Sequence, residues 1–189
     1  MPTLQIIIAS TRPGRVGLPV AQWFIARARD HGHFDIDVAD LAEINLPFLD
    51  EPEHPRLRHY TKQHTKDWSA RVDAADAFVF VVPEYNHGMP ATIKNAIDFL
   101  HQEWTYKPVG FVSYGAVSAG TRSVQQLKQV VAVLKMFPLT EAVSIPFISQ
   151  FIDAAGDLNA NETMEQASEA LLNELVRVEQ ALRELRATS

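Results

Sequence analysis

A chain of 189 residues with 47% hydrophobic content is long enough to bury one substantial core and short for two ordinary domains, so a single domain over 1–189 is expected. Seventeen Lys and Arg against 23 Asp and Glu leave a net charge of -6, which offers no global basic surface for nucleic acid or anionic lipid. The absence of cysteine excludes disulfides, thiolate metal sites, cysteine nucleophiles and Cys-ligated iron–sulfur clusters together.

Residues 4–9 form a short apolar run that stops at Ser10, after which Val20, Ala21, Phe24, Ile25 and Ala28 recur at helical spacing. Pro19 suits the first turn of that helix, where its missing N–H costs nothing. Residues 34–39 alternate weakly and predict a second strand, and residues 41–58, rich in Pro and acidic residues, predict a long loop. A second helix is expected near 60–75. Residues 77–82 are unbroken apolar, the pattern of a strand buried on both faces, and Ile93, Ala96, Ile97 and Leu100 follow at helical spacing. Residues 108–114 predict a fourth strand, Val124, Leu127, Val131 and Leu134 a helix, and residues 139–145 the last strand. Residues 161–186 close the chain with Met164, Leu171, Leu175, Val178, Leu182 and Leu185 on one stripe, expected to cover the sheet rather than to form a coiled coil.

Five strand–helix repeats imply a doubly wound parallel sheet with right-handed crossovers, an α/β three-layer sandwich in strand order 2-1-3-4-5. No internal repeat, low-complexity tract or Gly/Ser linker divides it. The longest apolar run is far below the roughly 20 residues of a membrane helix, and residues 1–8 lack the basic start of a signal peptide. The expectation is a soluble cytoplasmic protein with no nucleic acid or membrane partner.

Three loops carry the chemistry. Ser10-Thr11-Arg12-Pro13-Gly14-Arg15-Val16-Gly17 lies between the first strand and the first helix, where hydroxyls, guanidinia and a helix N-terminus together suit a phosphate. It matches neither GxxxxGK[ST] nor GxGxxG. An ordinary turn with solvated arginines is the alternative. Pro83-Glu84-Tyr85-Asn86-His87-Gly88-Met89-Pro90 leaves the third strand, and Ser113-Tyr114-Gly115-Ala116-Val117-Ser118-Ala119-Gly120 leaves the fourth. In the expected strand order all three loops share the carboxyl edge beside the switch point, where ligands of such sheets bind. Five of the eight glycines fall in them, which favours a site lined by backbone.

Ser10-Thr11-Arg12, Pro83-Glu84-Tyr85-Asn86, the helix Lys94-Asn95-Ala96-Ile97-Asp98 and Lys107-Pro108-Val109 leading into the third loop together resemble the NAD(P)H-dependent FMN reductases of flavodoxin-like fold. The resemblance covers about the first three quarters of the chain. It implies bound FMN, NADPH or NADH as co-substrate, and a small-molecule electron acceptor such as a quinone, azo compound, metal oxyanion, free flavin or oxygen. Carried over by position, Ser10, Arg12, Val16 and Gly17 hold the FMN phosphate, with Thr11 and Arg15 in the same loop. Pro83, Glu84, Tyr85, Asn86 and His87 line the isoalloxazine, largely through backbone groups, and Ser113, Tyr114, Gly115 and Gly120 close the other side. Family members often carry Gly beside His87 and Gly88, or at the position of Ala116. The resemblance also implies a homodimer or homotetramer, with the helix after the Pro-Glu-Tyr-Asn loop in the interface.

The cofactors carry hydride transfer and no side-chain acid or base is obligatory, so no catalytic residue is named. Glu84 is then expected to position its loop or a neighbour. A hydrolase built on Val117-Ser118-Ala119-Gly120 fails because no histidine follows His101 to complete the chain order Ser, acid, His. His54, His59 and His64 are spaced by five and cannot share one helix face for a metal. A phospho-receiver would need Asp where Pro83 and Glu84 end the third strand. The alternative that remains is a non-enzymatic flavodoxin-like electron carrier, with Tyr85, Tyr114 or Trp104 as ring clamps, although core or interface packing is expected for Trp104. The apolar Leu46-Pro47-Phe48-Leu49 in the long loop reads as a lid, a docking patch for a neighbouring subunit or a plug at a strand end.

Overall fold

In the computed structural model, which describes residues 1–188, β3 (Ala77–Pro83) runs through the middle of a five-stranded parallel sheet and is buried along its whole length. β1 (Thr3–Ile8) separates it from β2 (Asp35–Asp40) on one side. β4 (Pro108–Tyr114) and then β5 (Phe137–Ile145) follow on the other, giving the expected order 2-1-3-4-5. Alternation along β3 divides the core. Phe78, Phe80 and Val82 face a cluster with α3 (Gln63–Asp73), α4 (Ala91–Asp98) and α5 (Thr121–Val133), while Val79 and Val81 face α1 (Gly17–His31) and α6 (Glu162–Ala187). The flavodoxin-like three-layer arrangement is therefore present.

Trp104 is fully buried beneath α4, where its indole N–H donates to the Ile97 carbonyl at 3.2 Å. Trp68 does the same with Ala96 at 2.9 Å, and the two rings meet edge-on. Trp104 is thus a core residue, remote from any ring-clamping role.

The segment 41–58 is less featureless than expected. α2 (Leu41–Ile44) follows β2 directly because Asp40 caps it, accepting from the Ala42 N–H at 3.0 Å, and a 3-10 turn spans Pro55–Leu57. Helix α3 begins at Gln63 rather than at 60 because Glu51 reaches across from the loop to its start. The Glu51 carboxylate accepts from the N–H of Thr61, the hydroxyl of Thr61 and the N–H of Lys62, each at 2.8 Å. Tyr60 is held instead by the fully buried Glu103, to which its hydroxyl donates at 2.8 Å and the Ser69 hydroxyl at 2.6 Å. The long loop is therefore tied down by two carboxylates, Glu51 to the approach to α3 and the buried Glu103 to Arg58 at 3.4 Å.

The stripe expected on the last helix also needs correction. Met164, Leu171, Leu172 and Leu175 are buried, but Val178 and Leu182 are only half-buried and Leu185 is 49% exposed. Glu179 takes the buried position, paired with Arg183 at 2.7 Å and Arg186 at 2.6 Å. A 26-residue helix is roughly 39 Å long and a nine-residue strand about 30 Å, so the last turns overrun the sheet. Beyond that edge, ion pairs replace apolar packing. No helix among the described residues is long and apolar enough to cross a membrane.

The Glu51 cap has a testable energy. Its partial burial would raise the carboxyl pKa, but the N–H groups of Thr61 and Lys62 prevail and bring it down to about 2. A carboxylate with a depressed folded-state pKa adds stability above its unfolded pKa and loses it as pH falls through the folded one. Glu51→Gln should therefore lower unfolding free energy by about 1 kcal/mol at pH 7 in urea titrations, the scale of a lost cap. The difference from wild type should shrink between pH 4.5 and about 2; a constant difference across that window would contradict the assignment.

Candidate functional site

Strands β1, β3 and β4 are adjacent, so the loops that leave their carboxyl ends lie side by side. In the first loop Ser10 is buried, and its Oγ accepts a hydrogen bond from the Tyr114 hydroxyl at 3.1 Å. Burial pushes the Tyr114 pKa up to about 12, so this hydroxyl stays protonated and keeps its role as donor. Ser10 is left with its own O–H to donate elsewhere. This junction exists because residue 17 is glycine: a Cβ there would overlap both Ser10 Oγ and Tyr114 Oη. Helix α1 begins at that same glycine. Its cap, Val16, makes no side-chain hydrogen bond, and the first turn holds no acidic residue, so the positive end of the helix is left for an anion.

The two arginines of the loop separate in role. Arg15 pairs with Asp40 at the end of β2 through two guanidinium nitrogens and also donates to the Ser10 carbonyl. Burial would raise the Asp40 carboxyl, but the Arg15 hydrogen bond overrides it and holds the pKa below the ordinary value. The Arg15 side chain thus ties the loop to the sheet. Arg12 and Thr11 are exposed at the loop's outer side.

The second loop is a tight hairpin turn. Tyr85 and Gly88 exchange backbone hydrogen bonds of 3.0 and 2.9 Å, and the two residues between them, Asn86 and His87, both have positive φ (49° and 68°). That is the pattern of a type I′ turn, whose second position favours glycine; His87 holds it without one. The strain is met from α5. The Gln126 side chain donates to the His87 carbonyl at 3.3 Å and accepts from the Met89 N–H at 3.2 Å. One turn earlier, Arg122 holds Glu84 through Nε at 2.6 Å, Nη2 at 2.5 Å and its own backbone N–H at 3.2 Å. Pro83 is buried, and Tyr85 at the tip is 40% exposed.

The third loop closes against Tyr114. Gly120 has φ 78°, and a Cβ on it would lie 2.9 Å from both the Tyr114 nitrogen and its carbonyl oxygen, so only glycine fits here. Gly115 donates its N–H to the Ile145 carbonyl at 3.2 Å. Ser113 Oγ is buried with no hydrogen-bond partner among the described residues.

The loops named from the sequence are thus brought together: Ser10, Gly17, Tyr114 and Gly120 meet directly, and Pro83, at the end of β3, pairs with Tyr114. The residues that support them escaped the sequence reading. Asp40, Arg122 and Gln126 belong to this group, as does Thr92, whose hydroxyl donates to the Ala9 carbonyl and ties the start of α4 to the end of β1. Arg122 and Gln126 were legible as an i, i+4 polar pair on the opening turns of a helix that is otherwise apolar on its inner face. Chemically, the Ser10 hydroxyl, Arg12 and the α1 terminus suit a phosphate group, and the glycine-rich, backbone-lined second and third loops suit a flat ring. His54, His59 and His64 each have a local partner, the Arg56 N–H, Glu53 and Asp50, and no group of three metal-ligating side chains occurs among the described residues.

A family profile described as NADPH-dependent FMN reductase matches residues 2–150. A NAD(P)H-dependent FMN reductase of Schizosaccharomyces pombe is 39% identical over 149 residues, covering 77% of this chain and 74% of that protein. Another, from Nectria sp, is 35% identical over 153 residues, covering 78% and 76%. Among solved structures, a flavoenzyme NAD(P)H:(acceptor) oxidoreductase from Paracoccus denitrificans superposes with a TM-score of 0.70 at 18% identity over 97% of this chain and 98% of that one, a likeness of fold. The matched region ends before α6, the helix from which the sequence yielded no motif.

The ion pair beneath the second loop is asymmetric: the Glu84 side chain is 6% exposed and that of Arg122 44%. Burial would raise the Glu84 carboxyl, yet the Arg122 hydrogen bond holds it below its ordinary value. Arg122→Ala leaves a buried carboxylate without its counter-charge, though the backbone N–H remains, and should cost about 1–3 kcal/mol at pH 7, whereas Glu84→Gln keeps a neutral acceptor and should cost less. Urea denaturation of the two variants measures this order; equal or reversed losses would contradict it.

Proposed function

Because this chain belongs to the NADPH-dependent FMN reductase family, we propose that it is an oxidoreductase that binds one FMN in a single domain and passes electrons from NADPH or NADH to a small acceptor. The observation that carries this reading is the convergence, on three adjacent strands, of an anion-ready helix start with two backbone-lined loops.

In this reading the Ser10 hydroxyl, the Arg12 guanidinium and the N–H groups of Val16 and Gly17 hold the FMN phosphate, with Thr11 beside them. Arg15 shapes the loop instead, since its side chain is committed to Asp40 and its N–H to the Arg12 carbonyl at 3.1 Å. Pro83, Glu84, Tyr85, Asn86 and His87 line the ring, and Ser113, Tyr114, Gly115 and Gly120 close the opposite side. Bound there, FMN supplies a centre that takes hydride from a nicotinamide and yields electrons to the acceptor. The protein's part is orientation and electrostatics. Backbone N–H groups of these loops that are not already bonded within them would offset negative charge developing on the ring on reduction. Neither nearby acid titrates near neutral pH: Glu84 is held ionised by Arg122, and Tyr114, at about 12, stays protonated against Ser10. No side-chain proton donor is therefore assigned to the hydride step. Quinones, azo compounds, metal oxyanions, free flavin and oxygen all fall within the acceptor class, and a cytoplasmic setting supplies the nicotinamide.

The assembly proposed is a homodimer or homotetramer through the α4 side. Its support is an apolar groove of about 580 Å³ between α4 and α5, lined by Ile97, Leu100, Val130 and Val133, with Val133 79% exposed and Phe48, in the neighbouring loop, 82% exposed. Light scattering on the purified protein should give a mass of two or four chains; a stable monomer at micromolar concentration would overturn this assembly.

The function is tested by loading the protein with FMN and adding NADPH or NADH without oxygen. The flavin absorbance should bleach within seconds and return when a quinone is added. A protein that binds FMN but is reduced only by a separate reductase would be an electron carrier instead.

A further inference from the structure

The amino edge of the sheet, opposite the three loops, carries an open cleft. It has a volume of about 930 Å³ and lies beneath the starts of β3, β4 and β5, within the usual size range of ligand sites. Seven residues of β4 separate it from the flavin loops, roughly 20 Å. Its charge is opposite to that of the whole chain. Arg56, Arg58, Lys107, Lys135 and Arg186 line it against Asp73 and Asp76, in a protein whose net charge is -6.

Some of these charges hold the fold. Arg58 pairs with Asp73 at 3.3 Å and with the buried Glu103 at 3.4 Å, and Arg186 bonds Asp76, Glu179 and the Tyr106 carbonyl. Lys107, almost fully buried in the cleft floor, donates to the carbonyls of Val72 and Asp73, both at 2.9 Å, and burial lowers its pKa to about 8. The other two cations are exposed and have no carboxylate within ion-pair distance among the described residues. These are Arg56 and Lys135, the latter lying 5.4 Å over the Tyr106 ring. His101 also lines the cleft, and its Nδ1 is buried without a hydrogen-bond partner among the described residues.

Left-handed backbone also lines the cleft. Eight described non-glycine residues have positive φ; Asn86, His87 and Ala119 belong to the flavin loops, while Arg58, Tyr106 and Lys135 line this cleft. Tyr106 and Lys135 are bonded to each other, N–H to carbonyl, at 3.0 Å. Arg58 and Lys135 adopt this conformation where the 3-10 turn and α5 end, a common helix-terminating geometry.

We propose that this cleft is a binding site for a polyphosphate anion, free or as the phosphate chain of a nucleotide, held by Arg56 and Lys135 at the rim over Lys107 in the floor. Asp73, Glu103, Asp76 and Glu179 offset Arg58 and Arg186, which leaves Arg56, Lys135 and Lys107, a guanidinium fork with two ammonium groups, as the donor set for phosphate groups. Bound FMN leaves the cleft open, because the two sites lie at opposite edges of the sheet.

The test is calorimetric titration of the full, FMN-loaded protein with inorganic tripolyphosphate at low salt, and separately with ATP. One saturable site per chain is expected. The exposed double substitution Arg56→Glu, Lys135→Glu should weaken it at least about tenfold. A double change of equal charge away from the cleft, Lys62→Glu with Lys66→Glu, should leave it within about twofold, since screened charges at that distance add little. Equal affinity for the two probes supports the phosphate chain as the whole ligand, and tighter ATP binding supports a nucleotide. Absence of a saturable site, survival of binding in the cleft variant, or equal weakening in the control variant would overturn the proposal.

Discussion

The site depends on one close approach. The start of α1 is pressed against the ends of β1 and β4 until Gly17, Ser10 and Tyr114 leave no space for a side chain at position 17. That contact aligns three things at once: the free donors of the helix, a serine whose oxygen is already satisfied by tyrosine, and the end of the strand that feeds the third loop. Gly120 repeats the constraint from the other direction by folding back on the Tyr114 backbone. Around this knot the remaining polar contacts act as guys: Arg15 to Asp40, Thr92 to Ala9, Arg122 to Glu84 and Gln126 to the turn at Asn86 and His87. Each joins one loop to a neighbouring element, so the site is preorganised by the scaffold rather than by any single loop.

Most of the fold was legible because its central strands are buried on both faces. A short, unbroken run rich in Val and Phe such as β3 favours a strand over a helix, and the start and end of β4 at Pro108 and Tyr114 were read directly. Misreadings fell where polar side chains, not periodicity, set the boundary. Glu51 delays the start of α3 by binding the N–H groups of Thr61 and Lys62 just before it, from twelve residues away from Gln63, and Asp40 begins a short helix inside what composition marks as loop. On α6 a leucine repeat extends farther than the sheet it covers, and the buried position passes to Glu179 because arginines are within reach of it. A hydropathy pattern carries no information about where the partner surface ends.

At the site, the three loops and their shared edge followed from strand order, since β1, β3 and β4 are neighbours in any 2-1-3-4-5 sheet. Glu84 behaves as a positioning group, in keeping with a hydride chemistry that needs no acid. The division of labour between Arg12 and Arg15 was not legible, because the partner of Arg15 lies 25 residues away on another strand. The basic cleft was invisible for the same reason. Its residues are scattered from Arg56 to Arg186 and converge only when the amino ends of β3, β4 and β5 are brought together. A net negative charge excludes a basic global surface and leaves room for a local one.

The central claim is that the contact at Gly17 builds the FMN phosphate cradle. Titration of FMN into Gly17→Ala, followed by quenching of flavin fluorescence, tests it most directly. The added methyl must displace the Ser10 hydroxyl or the Tyr114 ring, so the dissociation constant should rise at least about tenfold, the worth of one charge-assisted hydrogen bond, while the far-ultraviolet dichroism of the sheet and helices is retained. A folded Gly17→Ala protein that binds FMN as tightly as the wild type would contradict the account.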